Sequence, residues 1–249
     1  MFKREEKGLT LLTFDSLAAM PGVRHGVTTK AGGVSQGQYA SLNLGLGCGD
    51  DPASVAGNLE ILRQALGLER LVYCRQVHGT EIIAVDGCES GLVGEADGLA
   101  TDQPGVGLLI KQADCQAIVL AAPERGVVAN LHAGWRGNVA GMAKKGVEFL
   151  GRRYGVRPAE IWAAVSPSLG PCCAEFTNHA NELGPDFLAY RIWGDNFDLW
   201  QATMDQLTAA GVPGEQIEVG AKCTRCGGQF FSYRREGVTG RFGTVVGLV

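Results

Sequence analysis

Of the four histidines in this chain, two stand in glycine-framed segments, Val77-His78-Gly79-Thr80 and Leu131-His132-Ala133-Gly134. A third segment, Gln112-Ala113-Asp114-Cys115, offers a thiol beside a carboxylate. Each puts a metal-capable side chain at the end of a predicted strand, next to small residues that let a ligand approach the backbone. Two neutral imidazoles and one thiolate form a set that zinc accepts. Three protein ligands leave the fourth tetrahedral position open, as in catalytic sites. Water in that position would have a pKa of about 7, and Asp114 is placed to order it. The plainer reading is that a strand-end histidine is a hydrogen-bonded core group. The three candidates also lie too far apart in sequence to form a short signature of the zinc-finger kind.

Other residues invite chemistry less directly. Cys223-Thr224-Arg225-Cys226 is a single CxxC with no second CxxC to complete a four-cysteine site, so it reads as structural. Cys172-Cys173, after Gly170-Pro171, reads as a turn. Arg136 follows Trp135, and Arg234-Arg235 follows Phe230-Phe231-Ser232-Tyr233. Guanidinium forks suit phosphate and the aromatics suit a stacked base; solvated arginines beside a core aromatic cluster fit equally well.

The elements that must position these groups read as a mixture without strict βα alternation, hence an α+β fold in a single domain over residues 1–249. Val23 to Thr28, Leu71 to Tyr73, Glu81 to Val85, Gly107 to Lys111, Ala117 to Leu120, Val127 to Leu131, Ile161 to Val165 and Thr244 to Val249 are predicted strands. Asp51 caps a predicted helix with Pro52 at its first position, and Gly67 ends it. Further helices are predicted over Asn138 to Arg153, Cys173 to Leu183 and Phe197 to Ala210, the last with Leu199, Met204 and Leu207 near one face.

Bulk properties narrow the class. With 45% hydrophobic and 19% charged residues, the chain is globular rather than disordered. A net charge of −4 argues against a nucleic-acid-coating surface. The charged start, Met1 to Lys7, has no apolar run after it, and no stretch approaches the roughly 18 residues of a membrane span. A cytoplasmic location is expected, where eight cysteines serve as thiols rather than as a disulfide framework.

Taken in order, several segments resemble one family. Thr29-Lys30-Ala31-Gly32-Gly33-Val34-Ser35, Tyr39-Ala40-Ser41-Leu42-Asn43-Leu44-Gly45 and Gly49-Asp50-Asp51-Pro52 match its amino-terminal signature. Gln76-Val77-His78-Gly79-Thr80, Ala113-Asp114-Cys115 and His132-Ala133-Gly134-Trp135-Arg136-Gly137 match its core. Gly170-Pro171-Cys172, Cys223-Thr224, Phe230 to Arg235 and Thr239-Gly240-Arg241 match its carboxy-terminal motifs. The chain therefore resembles the YfiH/YlmD family of purine nucleoside phosphorylases, formerly labelled laccase-type polyphenol oxidases.

The resemblance implies a four-layer α/β/β/α sandwich, related to the catalytic domain of cytotoxic necrotizing factors. It implies zinc on His78, Cys115 and His132, with copper as a substitute, and catalytic roles for these three with Asp114 and Arg136. Substrate contacts fall on Lys30, Asn43, Arg234 and Arg235. Lys30 stands where many relatives are expected to carry Arg, which keeps charge but loses the bidentate fork. The implied reaction is phosphorolysis of adenosine, inosine and methylthioadenosine, with adenosine deamination at the same site, in a monomer or homodimer. The partners are small molecules, nucleoside and phosphate, with no nucleic acid and no membrane.

Alternatives use the same residues. A metal-free cysteine hydrolase would take Cys115 as nucleophile and His132 as base, and a peptidoglycan-precursor editing amidase draws on either arrangement. The deaminase signature H-x-E with P-C-x-x-C is absent, so deamination would need another proton shuttle. A multicopper oxidase needs more imidazoles than four histidines supply, leaving single-copper loading as the residual case.

Overall fold

The computed structural model describes residues 1–249. A hairpin of β1 (Phe2–Glu6) and β2 (Leu9–Thr13) leads through α1 (Asp15–Ala18) to β3 (Val23–Thr28). A long loop precedes α2 (Pro52–Ala65), followed by β4 (Arg70–Arg75), β5 (Ile82–Ala84), β6 (Gly91–Glu95) and β7 (Gly98–Thr101). The central strands are β8 (Val106–Gln112), β9 (Gln116–Ala122) and β10 (Val127–Ala133). Next come α3 (Trp135–Val139), α4 (Met142–Tyr154), β11 (Trp162–Val165), α5 (His179–Glu182), β12 (Arg191–Trp193) and β13 (Asn196–Phe197). The chain ends with α6 (Leu199–Ala209), β14 (Ile217–Val219), α7 (Tyr233–Glu236) and β15 (Phe242–Leu248).

Two large sheets result. One has seven strands in the order β1-β2-β3-β15-β8-β4-β6, the other six in the order β14-β11-β9-β10-β7-β5. Strand periodicity explains why they stack. Val106, Leu108 and Ile110 of β8 meet Ala117, Val119 and Ala121 of β9 in one apolar layer between the sheets. The opposite face of the first sheet carries Leu109 and Val245 against Leu62, Ala65 and Leu66 at the end of α2. The opposite face of the second carries Ile118, Leu120, Ala129 and Leu131 against Val147 and Leu150 of α4 and Leu207 of α6. The order of layers is α/β/β/α, as the resemblance implied. β9, β10 and β15 are buried along their whole length, and β8 at every residue but Lys111, which is why they read as short apolar runs rather than alternating strands.

One polar residue crosses the inter-sheet layer. Asn130 of β10 is fully buried, and its side-chain amide donates to Leu108 O at 2.9 Å and Thr244 O at 2.8 Å on the facing sheet. Asn58 plays a similar part for α2. It donates to Ser35 Oγ, Ser41 O and Asn43 O and accepts from Val34 N, pinning the helix to the loop before it.

The helix expected from Asp51 forms: its carboxylate accepts from Ala53 N and Ser54 N, and Gly67 leaves the helix at φ 64°. Two other helices differ from expectation. The run over Asn138 to Arg153 is broken by Gly141 at φ 73°, which separates α3 from α4. Of Cys173 to Leu183 only His179–Glu182 is helical. There Phe176 N donates to Asp195 O and Phe197 N to Ala174 O, so the backbone bonds across to β13 instead of along a helix. Phe197 itself is in β13; α6 starts after Asp198, whose side chain caps it at Gln201 N.

His25 on β3 is a core group rather than a ligand. Its Nε2 accepts from Phe14 N at 2.9 Å, and burial pulls its pKa from 6.5 to about 4. The folded state therefore binds this proton less well than the unfolded chain, so stability present above pH 6.5 is lost as pH falls toward 4. The full effect is about 3 kcal/mol. His25→Gln keeps an acceptor for Phe14 but does not titrate. Urea midpoints measured from pH 7 to pH 4 are expected to fall more steeply for the wild type than for this variant; parallel curves would contradict the assignment.

Candidate metal centre

The strand ends that carry the candidate ligands converge at one edge of the sandwich. His132 lies near the end of β10 and pairs with Ala117 of β9, while Gln112 at the end of β8 pairs with Phe242 at the start of β15. Cys115 sits in the tight β8–β9 connection, made possible by Asp114 at φ 87°. His78 follows β4 and has φ 60°. A positive φ is uncommon for residues other than glycine, and its presence at both places marks a backbone held by its surroundings.

That holding is visible for His78. The fully buried Asp97, between β6 and β7, accepts from Val77 N at 3.2 Å, His78 N at 3.0 Å and Gly79 N at 2.6 Å. The same carboxylate meets His132 Nδ1 at 2.8 Å, and Asp97 O accepts from His132 N. Asp97 thus fixes the His78 backbone and the His132 ring, and leaves His132 Nε2 facing the thiol. The ligand atoms of His78, Cys115 and His132 all lie within 4.8 Å of one another. The two rings meet edge-to-face at 4.9 Å between centroids. Gly134 keeps the space between them open: a Cβ there would stand 2.9 Å from His78 Nδ1 and 3.0 Å from Cys115 Sγ.

The electrostatics follow from this crowding. Burial pulls His132 down, but the charges of Cys115 and Asp97 and its hydrogen bonds to both outweigh this and push it to about 9. Burial and the neighbouring His132 charge pull His78 below its usual value. Burial raises Asp97, yet its bonds to His132 and the Gly79 amide hold its carboxyl below the usual range. Without a metal, the neighbouring Cys115 and Asp97 charges favour the protonated form of His132. A metal binding at Nε2 displaces that proton. Two imidazoles and a thiolate, one imidazole backed by a carboxylate, fit an open tetrahedral site.

The remaining sequence candidates separate. Asp114 lines the cavity, but both its oxygens are occupied, by Thr224 Oγ1 at 2.6 Å and Arg234 N at 2.6 Å. It fastens the carboxy-terminal loop to the site instead of facing substrate as a free base. Arg234 also lines the cavity. Arg235 does not: its guanidinium donates to Thr224 O, Arg225 O, Gly227 O and Phe230 O, so this half of the expected pair is spent on holding a loop. Asn43 is fully buried and bonded to Gly45 N, Asp50 and Arg241 N; it shapes the loop that carries Gly45 to the cavity wall. Lys30 lies outside the cavity lining and meets the carboxy-terminal loop through its backbone, at Gln229 O. Arg136 is exposed and stacked on Trp135 at 4.1 Å, close enough for its charge to act on His78 but outside the lining.

Three contributors went unread in the sequence: Asp97, Gln112 and Lys111. Gln112 is buried and donates to Cys115 O and Ser166 Oγ while accepting from Thr244 Oγ1, bracing the Cys115 turn. Lys111, pulled down to about 8 by burial, lines the cavity with its ammonium 4.1 Å above the Tyr73 ring. Lysine and glutamine in the apolar β8 run, and an aspartate between Ala96 and Gly98, were the available signals.

The cavity these residues line has a volume of about 720 Å³ and includes Trp135, Phe176, Tyr233 and Arg241. No helix is long and apolar enough to cross a membrane.

Comparison with known proteins agrees with this geometry. A family model described as multi-copper polyphenol oxidoreductase laccase matches residues 24–249. Purine nucleoside phosphorylase YlmD of Geobacillus stearothermophilus is 40% identical over 91% of this chain and 90% of its own. A purine nucleoside phosphorylase of Deinococcus radiodurans is 38% identical over 97% and 94%. The crystal structure of Geobacillus stearothermophilus YlmD superposes with a TM-score of 0.91 at 38% identity, covering 99% of this chain and 98% of that one. That of Bacillus licheniformis YfiH gives 0.90 at 30% identity, covering 99% of both. Shared along almost its whole length with both YlmD and YfiH, the chain belongs to their family, the one described as multi-copper polyphenol oxidoreductase laccase.

Proposed function

We propose that this chain is a zinc-dependent purine nucleoside phosphorylase acting on adenosine, inosine and methylthioadenosine. The observation that carries the reading is one cavity lined by the His78–Cys115–His132 set, by aromatic Trp135, Phe176 and Tyr233, and by cationic Lys111, Arg234 and Arg241. The names of the relatives point to the same reaction. Zinc suits two imidazoles and one thiolate, and it would supply Lewis acidity at the cavity floor; copper binds such ligands tightly enough to substitute.

The residues divide the work by chemistry. Aromatic faces hold a purine by stacking. Arginine forks and the lysine ammonium hold phosphate and its charge, which keeps Arg234 of the expected phosphate contacts and replaces Arg136 and Arg235 with Arg241 and Lys111. A phosphate oxygen then bonds C1′ of the ribose as the C1′–N9 bond breaks. The electron pair leaves with the purine, which is protonated as it departs, and the sugar keeps the phosphate. Asp97 acts through the two histidines and is a positioning residue.

A second reading has its own observation. Cys115, His132 and Asp97 form a continuous thiol–imidazole–carboxylate chain, the arrangement of a cysteine hydrolase. Loss of activity with zinc separates the two.

Adenosine incubated with the protein is expected to give adenine and ribose 1-phosphate only when phosphate is present. Inosine formed without phosphate would instead establish the deaminase activity. If neither appears, and an amino acid is released from a muramyl-peptide precursor, phosphorolysis is wrong and the editing amidase is right. Zinc-free protein with full activity would transfer the case to the cysteine hydrolase.

Asp97→Asn keeps the size of the side chain but weakens its support of His132. Zinc affinity, measured by competition with a chromogenic chelator, is expected to drop about 10- to 100-fold, while thermal denaturation still shows one cooperative transition. Cys115→Ala is expected to lower phosphorolysis by more than the ~100-fold that loss of a supporting partner costs. Unchanged zinc affinity in the first variant, or a fully active second one, would refute these roles.

A further inference from the structure

The lone CxxC of the sequence finds its complement in space. Cys172 and Cys173 meet Cys223 and Cys226, and the four sulfurs lie within 4.8 Å of one another. We propose that these four cysteines form a second metal site, a closed tetrahedral zinc centre that fastens two loops of the cavity wall.

The geometry fits that ion. A tetrahedron with zinc–sulfur bonds of about 2.3 Å has edges of roughly 3.8 Å. Cys226 Sγ lies 3.6 Å from Cys172 Sγ and 3.4 Å from Cys173 Sγ. Four thiolates fill every tetrahedral position, so this site has no opening for substrate, in contrast to the three-ligand set at His78. Binding sends the thiol protons to solvent and leaves a net charge of −2 on the centre. The nearby Arg225 guanidinium, whose pKa the Cys173, Cys226 and Cys223 charges raise, offsets part of it.

The loops are shaped for this meeting. Gly170-Pro171 opens a turn in which Cys173 N and Ala174 N both donate to Gly170 O, presenting adjacent cysteines on one side. Gly170 must lack a side chain, since a Cβ would fall 2.9 Å from Cys223 Cβ and 2.8 Å from the Trp200 ring. The CxxC turn closes with Gly227 N on Cys223 O at 3.3 Å. Arg235 holds its carbonyls at Thr224, Arg225 and Gly227, and Thr224 N bonds Ser168 O at 3.0 Å to join the two loops.

The centre would act on the cavity only through structure. Leu169 N donates to Asp114 O from the first loop, and Thr224 Oγ1 donates to Asp114 Oδ1 from the second. Zinc across the loops therefore stabilises the turn beside Cys115 without touching substrate. The inference does not depend on the reaction proposed above; the expected metal count includes the ion at His78, whereas the labelling test does not.

Metal content and thiol accessibility test it together. Elemental analysis of protein produced with zinc is expected to give two zinc ions per chain. Cys115→Ala and the Cys172→Ser/Cys226→Ser double variant should each retain one. Cys172 and Cys226 are exposed, so in the metal-free state iodoacetamide should reach and label them, at a rate slowed by the neighbouring thiols that raise both pKa values. In the zinc-loaded wild type, labelling is expected to be suppressed and restored by a strong chelator. This arm needs no variant to fold. Rapid alkylation of the zinc-loaded protein overturns the proposal. So does a mass deficit of paired hydrogens within these four residues, which would mean disulfides, or iron in place of zinc with thiolate-to-iron absorption.

Discussion

The Asp97 carboxylate is the interaction on which the site depends. It is fully buried, and it joins two pieces of chain: the His78 loop, through three amides, and the end of β10, through His132 Nδ1. A buried carboxylate is costly unless it is paired and hydrogen-bonded. Here the bonds that make it tolerable are the same ones that set the ligand geometry. The left-handed backbone at His78 is held by donors that have one acceptor to reach, so stability and ligand placement cannot be separated at this residue.

The sandwich supplies the fixed frame for that interaction. β8, β9 and β10 carry apolar side chains on both faces, so a one-residue slip in register would exchange two buried layers rather than expose one. Register there is instead pinned by polar residues: Asn130 across the sheets, and Gln112 between β8, the Cys115 turn and β15. These contacts lock the distance from His132 to Cys115, which is set by the pairing of β9 with β10. The ligands therefore sit on strands and strand ends rather than on free loops, and a metal would meet donors already in place.

How much of this was legible in the sequence depends on the range of the interaction. Asp51-Pro52 and Gly67 announce their helix because capping is local, and the buried strands announce themselves by apolar runs. His78, Cys115 and His132 were legible from small neighbours and, in order, from the resemblance of their flanking motifs. Asp97 was not, because its partners lie 18 to 35 residues away and its own neighbours are ordinary. The two arginines at 234 and 235 are identical in type and adjacent in sequence, yet one lines the cavity and the other binds four carbonyls. No local rule distinguishes them; the direction of α7 does. The cysteines at 172 and 173 were similarly mute, since a second CxxC was sought where an adjacent pair provides the donors.

The family description speaks of several coppers, and the distribution of imidazoles bears on that chemistry. Oxidation of phenols by a multicopper centre needs clustered histidines around more than one ion. His25 is committed to Phe14 N inside the core, and His179 packs on Phe197 near Asp195. Only His78 and His132 reach the cavity, and they share a single thiol. The chain thus assembles one three-ligand centre beside aromatic and cationic walls. That donor set has the capacity for one ion, and no second cluster of imidazoles adjoins it.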